Sequence, residues 1–344
     1  MEESVYNEEE RPVFCDACFR MKKKKGRLCF VQPPTFSPRV RIADTHAHLD
    51  LLEDASLALA RCAVYGVDFL VAMVDAVEDP AITFDNLEVW RENVASILPE
   101  VMDATLACIT EAQDAEAAAA FAARHPLSGA PRVRIAIGCH PHNAKDYDGM
   151  LEADLRARLH DPRVCAIGEV GLDYHYDLSP REVQREVFRR QIRIAHETGL
   201  PLILHLREAH DEALTIMEQE GFPKAGVLLH CFNLDAEVLK PWVDAGCHIA
   251  IGGPVTFKKS DYLREAAATI PRDKLLTETD SPYMTPEPMR GMECEPEHTI
   301  FTAAVLAAAC GCSEEANRTA FLQDIYQGAL DLLDREPTAW QRNI

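Results

Sequence analysis

From residue 40 onward, short apolar runs alternate with amphipathic stretches eight times, and this alternation constrains the fold more than any other feature of the chain. The runs are Val40–Thr45, Val67–Val74, Val133–Cys139, Val164–Glu169, Pro201–His205, Gly226–His230, Cys247–Ile251 and Lys274–Glu278. Each is bounded by Gly, Pro or Asp, residues that punctuate strands. Most are continuously apolar, as strands are when both faces of their sheet are covered. Strands joined through helices lie parallel, because the crossover returns the chain to the same end of the sheet. Eight such units predict an α/β chain with a (β/α)8 TIM barrel, a fold of about 250 residues.

The remainder divides around that barrel. Residues 1–38 are charged and then Pro-rich (Pro33, Pro34, Pro38), and read as a short N-terminal extension and linker. The extension carries Cys15-Asp16-Ala17-Cys18, Cys29 and a basic run from Arg20 to Lys25. Two readings stand there: a small metal site, for which no fourth ligand is evident, or a basic arm that touches phosphates. The barrel is expected over 39–334, with a C-terminal tail at 335–344. Between the second and third strands, Thr83–Arg124 is longer than one crossover helix needs and includes the Ala-rich stretch Ala115–Ala123, so two helices are expected. After the eighth strand come a Pro-rich loop, Ser281–Pro296, and helices over about Glu297–Ala309 and Ser313–Asp334. Ser313 is the expected N-cap of the last helix, with Glu314 and Glu315 complementing its N-terminus.

Acidic residues outnumber basic ones by 56 to 35, and the resulting charge of −21 opposes polyanions. Contact with nucleic acid must therefore be local, and bound divalent cations would offset the acidity where it occurs. No stretch approaches the roughly 20 apolar residues of a membrane span, and no leader-like segment opens the chain, so a cytoplasmic protein without membrane association is expected. The chain has 12 cysteines, of which Cys62, Cys108, Cys139, Cys165, Cys231 and Cys247 fall within apolar strand or helix patterns; reduced thiols are expected there.

The sharpest local feature is Asp44-Thr45-His46-Ala47-His48, at the end of the first strand. Residues i and i+2 of a strand point to the same side, so His46 and His48 can grip one ion. Taken alone, two ordinary polar histidines would explain the pair equally well. Glu169, His205, His230 and Asp280, however, fall at the ends of four other strands, and a barrel gathers all eight C-terminal strand ends at one rim. Ionisable groups left unpaired there would be costly, and a metal cluster removes that cost. Four imidazoles and two carboxylates suffice for two ions if one carboxylate bridges them; Glu169 is the expected bridge by its central position.

These residues sit in motifs that resemble the TatD family of metal-dependent deoxyribonucleases, within the amidohydrolase-like barrels. In order they are Asp44-Thr45-His46-Ala47-His48-Leu49-Asp50, Gly138-Cys139-His140-Pro141-His142, Gly168-Glu169-Val170-Gly171-Leu172-Asp173-Tyr174, His205-Leu206-Arg207, His230-Cys231-Phe232, Val255-Thr256-Phe257-Lys258 and Glu278-Thr279-Asp280-Ser281-Pro282. The likeness covers about Arg41 to Tyr326. Asn233-Leu234 and Cys294 depart from the pattern, without touching an expected ligand.

The resemblance implies that His46, His48, Glu169 and Asp280 hold one ion while Glu169, His205 and His230 hold the other. It further implies that His140 and Arg207 contact substrate phosphate, and that the substrate is DNA, as single strands or at ends. Two ions would then activate a water for phosphodiester hydrolysis, with Glu169 and Asp280 as the catalytic carboxylates of the site. Whether Asp280 is also the general base is open. So is the choice between phosphate recognition and a rim salt bridge for Arg207, and between substrate contact and ligand support for His140. Asp173 is expected to support a ligand and Asp44 to be structural, while His142, His175 and His210 read as ordinary histidines. Phe257 and Lys258 are candidates for the mouth of the site. The donor set admits Zn²⁺, Mn²⁺, Ni²⁺ or Mg²⁺. Two other readings remain: hydrolysis of a different ester or amide, such as an aminoacyl-ester, at the same two-ion rim, and a non-catalytic scaffold. Oligomeric state and nuclease polarity are not written in the sequence.

Overall fold

A computed structural model describes residues 17–22, 28–34, 36, 40–127 and 129–343. Two short strands, β1 (Arg20–Lys22) and β2 (Leu28–Phe30), pair antiparallel ahead of the barrel. The barrel follows as β3 (Ile42–Ala47), β4 (Val67–Asp75), β5 (Arg132–Gly138), β6 (Val164–Asp173), β7 (Leu202–Arg207), β8 (Val227–Leu229), β9 (His248–Ile251) and β10 (Leu275–Thr277). All neighbouring pairs from β3 to β10 are parallel and in sequence order. The first and last strands then meet. Ala47 bridges Ser281 in parallel, Asp280 N–H donates to His46 O at 2.9 Å, and His48 N–H donates to Ser281 O at 2.8 Å. Farther down the seam, Thr45 Oγ1 donates to Thr277 O at 3.0 Å and Thr277 Oγ1 to Ala43 O at 2.7 Å. The expected (β/α)8 barrel is therefore what the chain forms.

Alternating positions fill the two sides of the sheet. Phe69, Val71 and Met73 of β4 point inward with Ala136, Ile203, Leu228, Ala250 and Leu276, whereas Leu70, Ala72 and Val74 face the helices. The long helix α10 (Glu315–Leu333) adds Tyr326, Ala329, Leu332 and Leu333 to the inner cluster. It lies against the N-terminal strand ends, where Arg132, the first residue of β5, bonds to Tyr326. One end of the barrel is thus plugged by apolar side chains, and the opposite rim is left for chemistry.

Helices α1 (Ala55–Tyr65) through α9 (Thr299–Ala309) connect the strands or flank them. α2 (Ala81–Ala112) and α3 (Ala115–Arg124) are the two helices expected between the second and third strands. Caps follow local chemistry: Asp54 accepts from Leu57 N–H to start α1, and Gly66 ends it in the left-handed region at φ 83°. Ser313 is not the N-cap of α10. Cys312 N–H still closes the end of α9 onto Ala307 O at 2.7 Å and its side chain is buried, so the chain is turning at Ser313 and the helix begins two residues later.

Ahead of the barrel, Cys18 and Phe19 are buried, Cys18 N–H donating to Thr105 of α2 and the Phe19 ring lying edge-on to Tyr65 and Phe301. Cys15 and Lys23–Lys25 lie outside the described residues. At the other end, α11 (Ala339–Arg342) buries Gln341, whose amide donates to Leu159 O and Val164 O. Of the thiols expected to be reduced, Cys62, Cys139, Cys165, Cys231 and Cys247 are free. Among the described residues, no helix is long and apolar enough to cross a membrane.

Candidate metal centre

The strand ends were expected to carry the ligands, and the structure moves two of them inward. β6 continues to Asp173 and β7 to Arg207, so Glu169 and His205 lie within strands. Glu169 still reaches the rim because the register of β6 against β7 shifts between Ile167 and Val170. A shift of this kind turns a side chain out of the regular alternation. At Gly171, φ is 146° and a Cβ would stand 2.1 Å from His205 O, so glycine is what lets the two strands approach beside the cluster.

His46, His48, Glu169, His205, His230 and Asp280 meet at that rim and line one cavity of about 540 Å³, except for His46, which is wholly buried behind it. Glu169 is at the centre. Its Oε2 is 3.3 Å from His46 Nε2 and 3.6 Å from His48 Nε2; its Oε1 is 2.7 Å from His230 Nε2 and 3.1 Å from His205 Nδ1. Asp280 Oδ1 stands 3.7 Å from both His46 Nε2 and His48 Nε2. The backbone of Asp280 is left-handed at φ 64°, a conformation that costs a non-glycine residue about 1 kcal/mol or more and is held by its bond to His46 O.

The donor set suits a cation. Neither ring nitrogen of His46 has a hydrogen-bond partner although the residue is fully buried, and its ring stacks on that of His230 at 3.9 Å. Burial and the neighbouring His230 lower the His46 pKa to about 4, so the ring stays neutral and keeps one nitrogen lone pair for an ion. Burial opposes the charge on His48 and His205 too. There it is outweighed, by Asp280 and Glu169 for His48 and by Asp173 and Glu169 for His205, and both rise to about 9. Glu169 stays ionised well below the usual carboxylate range, because the surrounding imidazoles outweigh its burial. His46, Glu169 and His230 could hold one ion and His46, His48 and Asp280 another, the ligand atoms of each group lying within 4.8 Å of one another.

Around this cluster lie groups that sequence reasoning valued differently. Asp173 Oδ2 accepts from His205 Nε2 at 3.2 Å and from His142 Nε2 at 2.8 Å, which gives His142 a place in the site. Glu278 was read only as part of a motif. It is fully buried two residues before Asp280, accepts the Cys231 N–H, and has Oε2 3.9 Å from His230 Nδ1. Burial and Asp280 push its carboxyl well above its ordinary value, toward the neutral form. Asp75, at the end of β4, accepts His140 N–H and the Asn143 amide, both at 3.1 Å, and burial pushes it up to about 6. The strand-end rule would have found Asp75, which follows the expected strand Val67–Val74 as His46 follows Val40–Thr45. Asp44 is a strut: it accepts Thr279 N–H at 2.9 Å, the Thr279 hydroxyl at 2.6 Å and His46 N–H at 3.2 Å.

His140 and Arg207 both line the cavity. His140 Nδ1 accepts from His142 N–H at 3.2 Å, and its ring lies 4.3 Å from that of His205. Arg207 stacks over Tyr176 at 4.6 Å and, among the described residues, pairs with no carboxylate. Phe257 and Lys258 are not part of the cavity lining; Phe257 instead carries Arg290 over its ring at 4.4 Å. His175 pairs with Glu208 on the surface, and His210 lies edge-on to Phe232.

The family model for TatD-related DNases matches residues 43–325, most of the chain and all of the barrel strands but the first residue of β3. The chain belongs to the TatD family. Its curated relatives include the uncharacterized metal-dependent hydrolase YabD of Bacillus subtilis, 44% identical over 179 residues that cover 51% of this chain and 69% of that protein. Another is the 3'-5' ssDNA/RNA exonuclease TatD of Erwinia billingiae, 39% identical over 154 residues, covering 44% of this chain and 59% of that one. Solved structures share the fold. The TatD homologue YJJV of Escherichia coli aligns with a TM-score of 0.64 at 24% identity, over 86% of this chain and 99% of that one. A TatD-family hydrolase from Entamoeba histolytica aligns with a TM-score of 0.66 at 17% identity, over 87% and 99%. This TatD chain is thus a member of a family of metal-dependent hydrolases, with candidate ligand clusters at its barrel rim.

Proposed function

We propose that the chain hydrolyses phosphodiester bonds of DNA, in unpaired strands or at strand ends, with two divalent ions held by His46, His48, Glu169, His205, His230 and Asp280. The observation that carries this reading is the double-sided Glu169, whose Oε2 faces His46 and His48 while its Oε1 faces His205 and His230. A carboxylate with imidazoles against both oxygens is suited to bridge two cations. When bound, such ions acidify a water and offset the charge that develops on phosphorus.

The chain's own groups do the rest. Asp280 is ionised, His48 and its other imidazole neighbours outweighing its burial, and can accept the proton of the attacking water. His140 is held neutral by burial and by His205, and because Nδ1 accepts a backbone N–H, its proton sits on Nε2 as a donor for a phosphoryl oxygen. Arg207, unpaired with any described carboxylate, offers a planar fork to the same group. Asp173 orients His205 from behind. The name of the Erwinia relative supports nucleic acid as the substrate.

The test is a comparison of single-stranded DNA, an aminoacyl-ester and a generic phosphodiester, each with the purified protein before and after chelation and with Zn²⁺, Mn²⁺, Ni²⁺ or Mg²⁺ restored. Metal-dependent cleavage of DNA is expected. Turnover of the aminoacyl-ester alone would replace the nuclease reading with its alternative, and metal analysis of the protein gives the number and identity of the ions.

A further inference from the structure

The cavity over the cluster is not lined as an extended cationic track for a polyanion would be. Among the described residues, Arg207 is its single basic side chain other than histidine, while Asp50, Asp75 and Glu78 add acid beyond the candidate ligands. Tight electrostatic capture of a polyanion needs several such cations. What the mouth has in their place is apolar surface. Ten large hydrophobic side chains stand exposed among the described residues, and five of them, Leu51, Tyr176, Leu178, Tyr283 and Met284, line this one cavity. Exposed apolar groups gathered at one place mark a binding surface, whereas scattered ones carry no such meaning.

The two tyrosines are each anchored to a site acid, one through its carboxylate and the other through its backbone carbonyl. Each follows a site acid by three residues and is tied back to it: Tyr176 N–H donates to Asp173 Oδ1 at 2.9 Å, and Tyr283 N–H donates to Asp280 O at 2.8 Å. Tyr176 leans edge-on to His142 at 5.4 Å with Arg207 over its ring, and Tyr283 leans edge-on to His48 at 6.2 Å. One ring thus stands beside His142 and the other beside His48, yet both remain more than half exposed.

Building on the nuclease reading above, we propose that Tyr176 and Tyr283 are specificity-determining residues that stack on the bases at either side of the scissile bond of an unpaired strand. Affinity then comes from base stacking at the mouth and from one guanidinium, and little from a cationic track. A ring face accepts any base, so the clamp selects unpaired over paired nucleotides without selecting sequence. Bases already stacked in a duplex are not available to it.

The test uses the full-length, metal-loaded protein and two labelled trinucleotides of equal charge, one of thymidylate and one with abasic tetrahydrofuran residues, with KM and kcat measured for each. Binding of phosphorothioate versions is followed in parallel by fluorescence polarisation. The abasic trimer is expected to show a KM at least about tenfold higher. Tyr176→Ala or Tyr283→Ala should raise the thymidylate KM by a comparable factor and shrink the abasic-to-thymidylate ratio, while Tyr→Phe at either position keeps it. The slope of log KM on log salt should stay near 1 or below, since about 0.7 is expected per cation engaged with a single strand. Equal KM values for the two trimers in the unmodified protein, or Ala variants that retain the full ratio, overturn the clamp and leave the nuclease reading intact. Failure to cleave either trimer with any metal removes both together.

Discussion

Asp173 Oδ2 lies 3.2 Å from Nε2 of His205, the ring nitrogen opposite the one that faces Glu169. With an ion bound, this contact would hold the Nε2 proton on the outer side and leave Nδ1 to ligate, as carboxylates behind metal-ligating histidines generally do. Asp173→Asn keeps the shape and removes the charge. The variant should bind metal about 10- to 100-fold more weakly, read by competition with a chromogenic chelator, with far-UV circular dichroism unchanged. Metal affinity equal to that of the unmodified protein would show that Asp173 serves the fold alone.

Glu169→Ala removes the one side chain that both halves of the cluster share. Metal content after desalting should fall for both ions together, and kcat by several orders of magnitude, with the barrel still folded. Retention of unchanged activity would refute the bridge.

Gly171→Ala tests the close approach of β6 and β7. The added methyl group would meet His205 O at 2.1 Å on a backbone at φ 146°, so the strands must part. A loss of about 2 kcal/mol or more in urea unfolding is expected, with weakened metal binding alongside it. A stability within about 0.5 kcal/mol of the unmodified protein would contradict that geometry.

His248, buried on β9 far down the barrel, gives a pH signature free of the metal site. Burial and Lys274 lower its pKa to about 4. The folded pKa is below that of an unfolded histidine, so the stability it confers is present above about pH 6.5 and drains away as pH falls toward 4. Urea unfolding of chelated protein at pH 7.5, 5.5 and 4.5 should show His248→Gln losing less stability than the unmodified chain, by on the order of 2 kcal/mol at the lowest pH. Parallel losses would show that His248 titrates normally.

If the ions are held as proposed, chelation should lower Tm as well as abolish turnover, because a ligand bound only by the native state adds stability by mass action. Calorimetry with and without a chelator measures this directly. An unchanged Tm would mean that the rim binds no metal of consequence in the purified protein.

The eight barrel strands and the positions of the six candidate ligands near their ends were legible in the sequence, because periodicity and strand-end position are local properties that survive without knowledge of the fold. The start of α10 was misread for a local reason as well: the buried Cys312 still belongs to the closing turn of α9, and Ser313 is carried with it. What no local rule reaches is the partner of each polar group. That Asp173 serves both His142 and His205, that Glu278 stands behind His230, and that two tyrosines flank one cluster follow only when strands far apart in the chain close into a ring. By itself the sequence determined which residues could carry the chemistry and that they would share one rim. The tertiary structure decided which nitrogen faces which oxygen, since hydrogen-bond geometry depends on sub-ångström placement that barrel closure and the register shift in β6 alone supply.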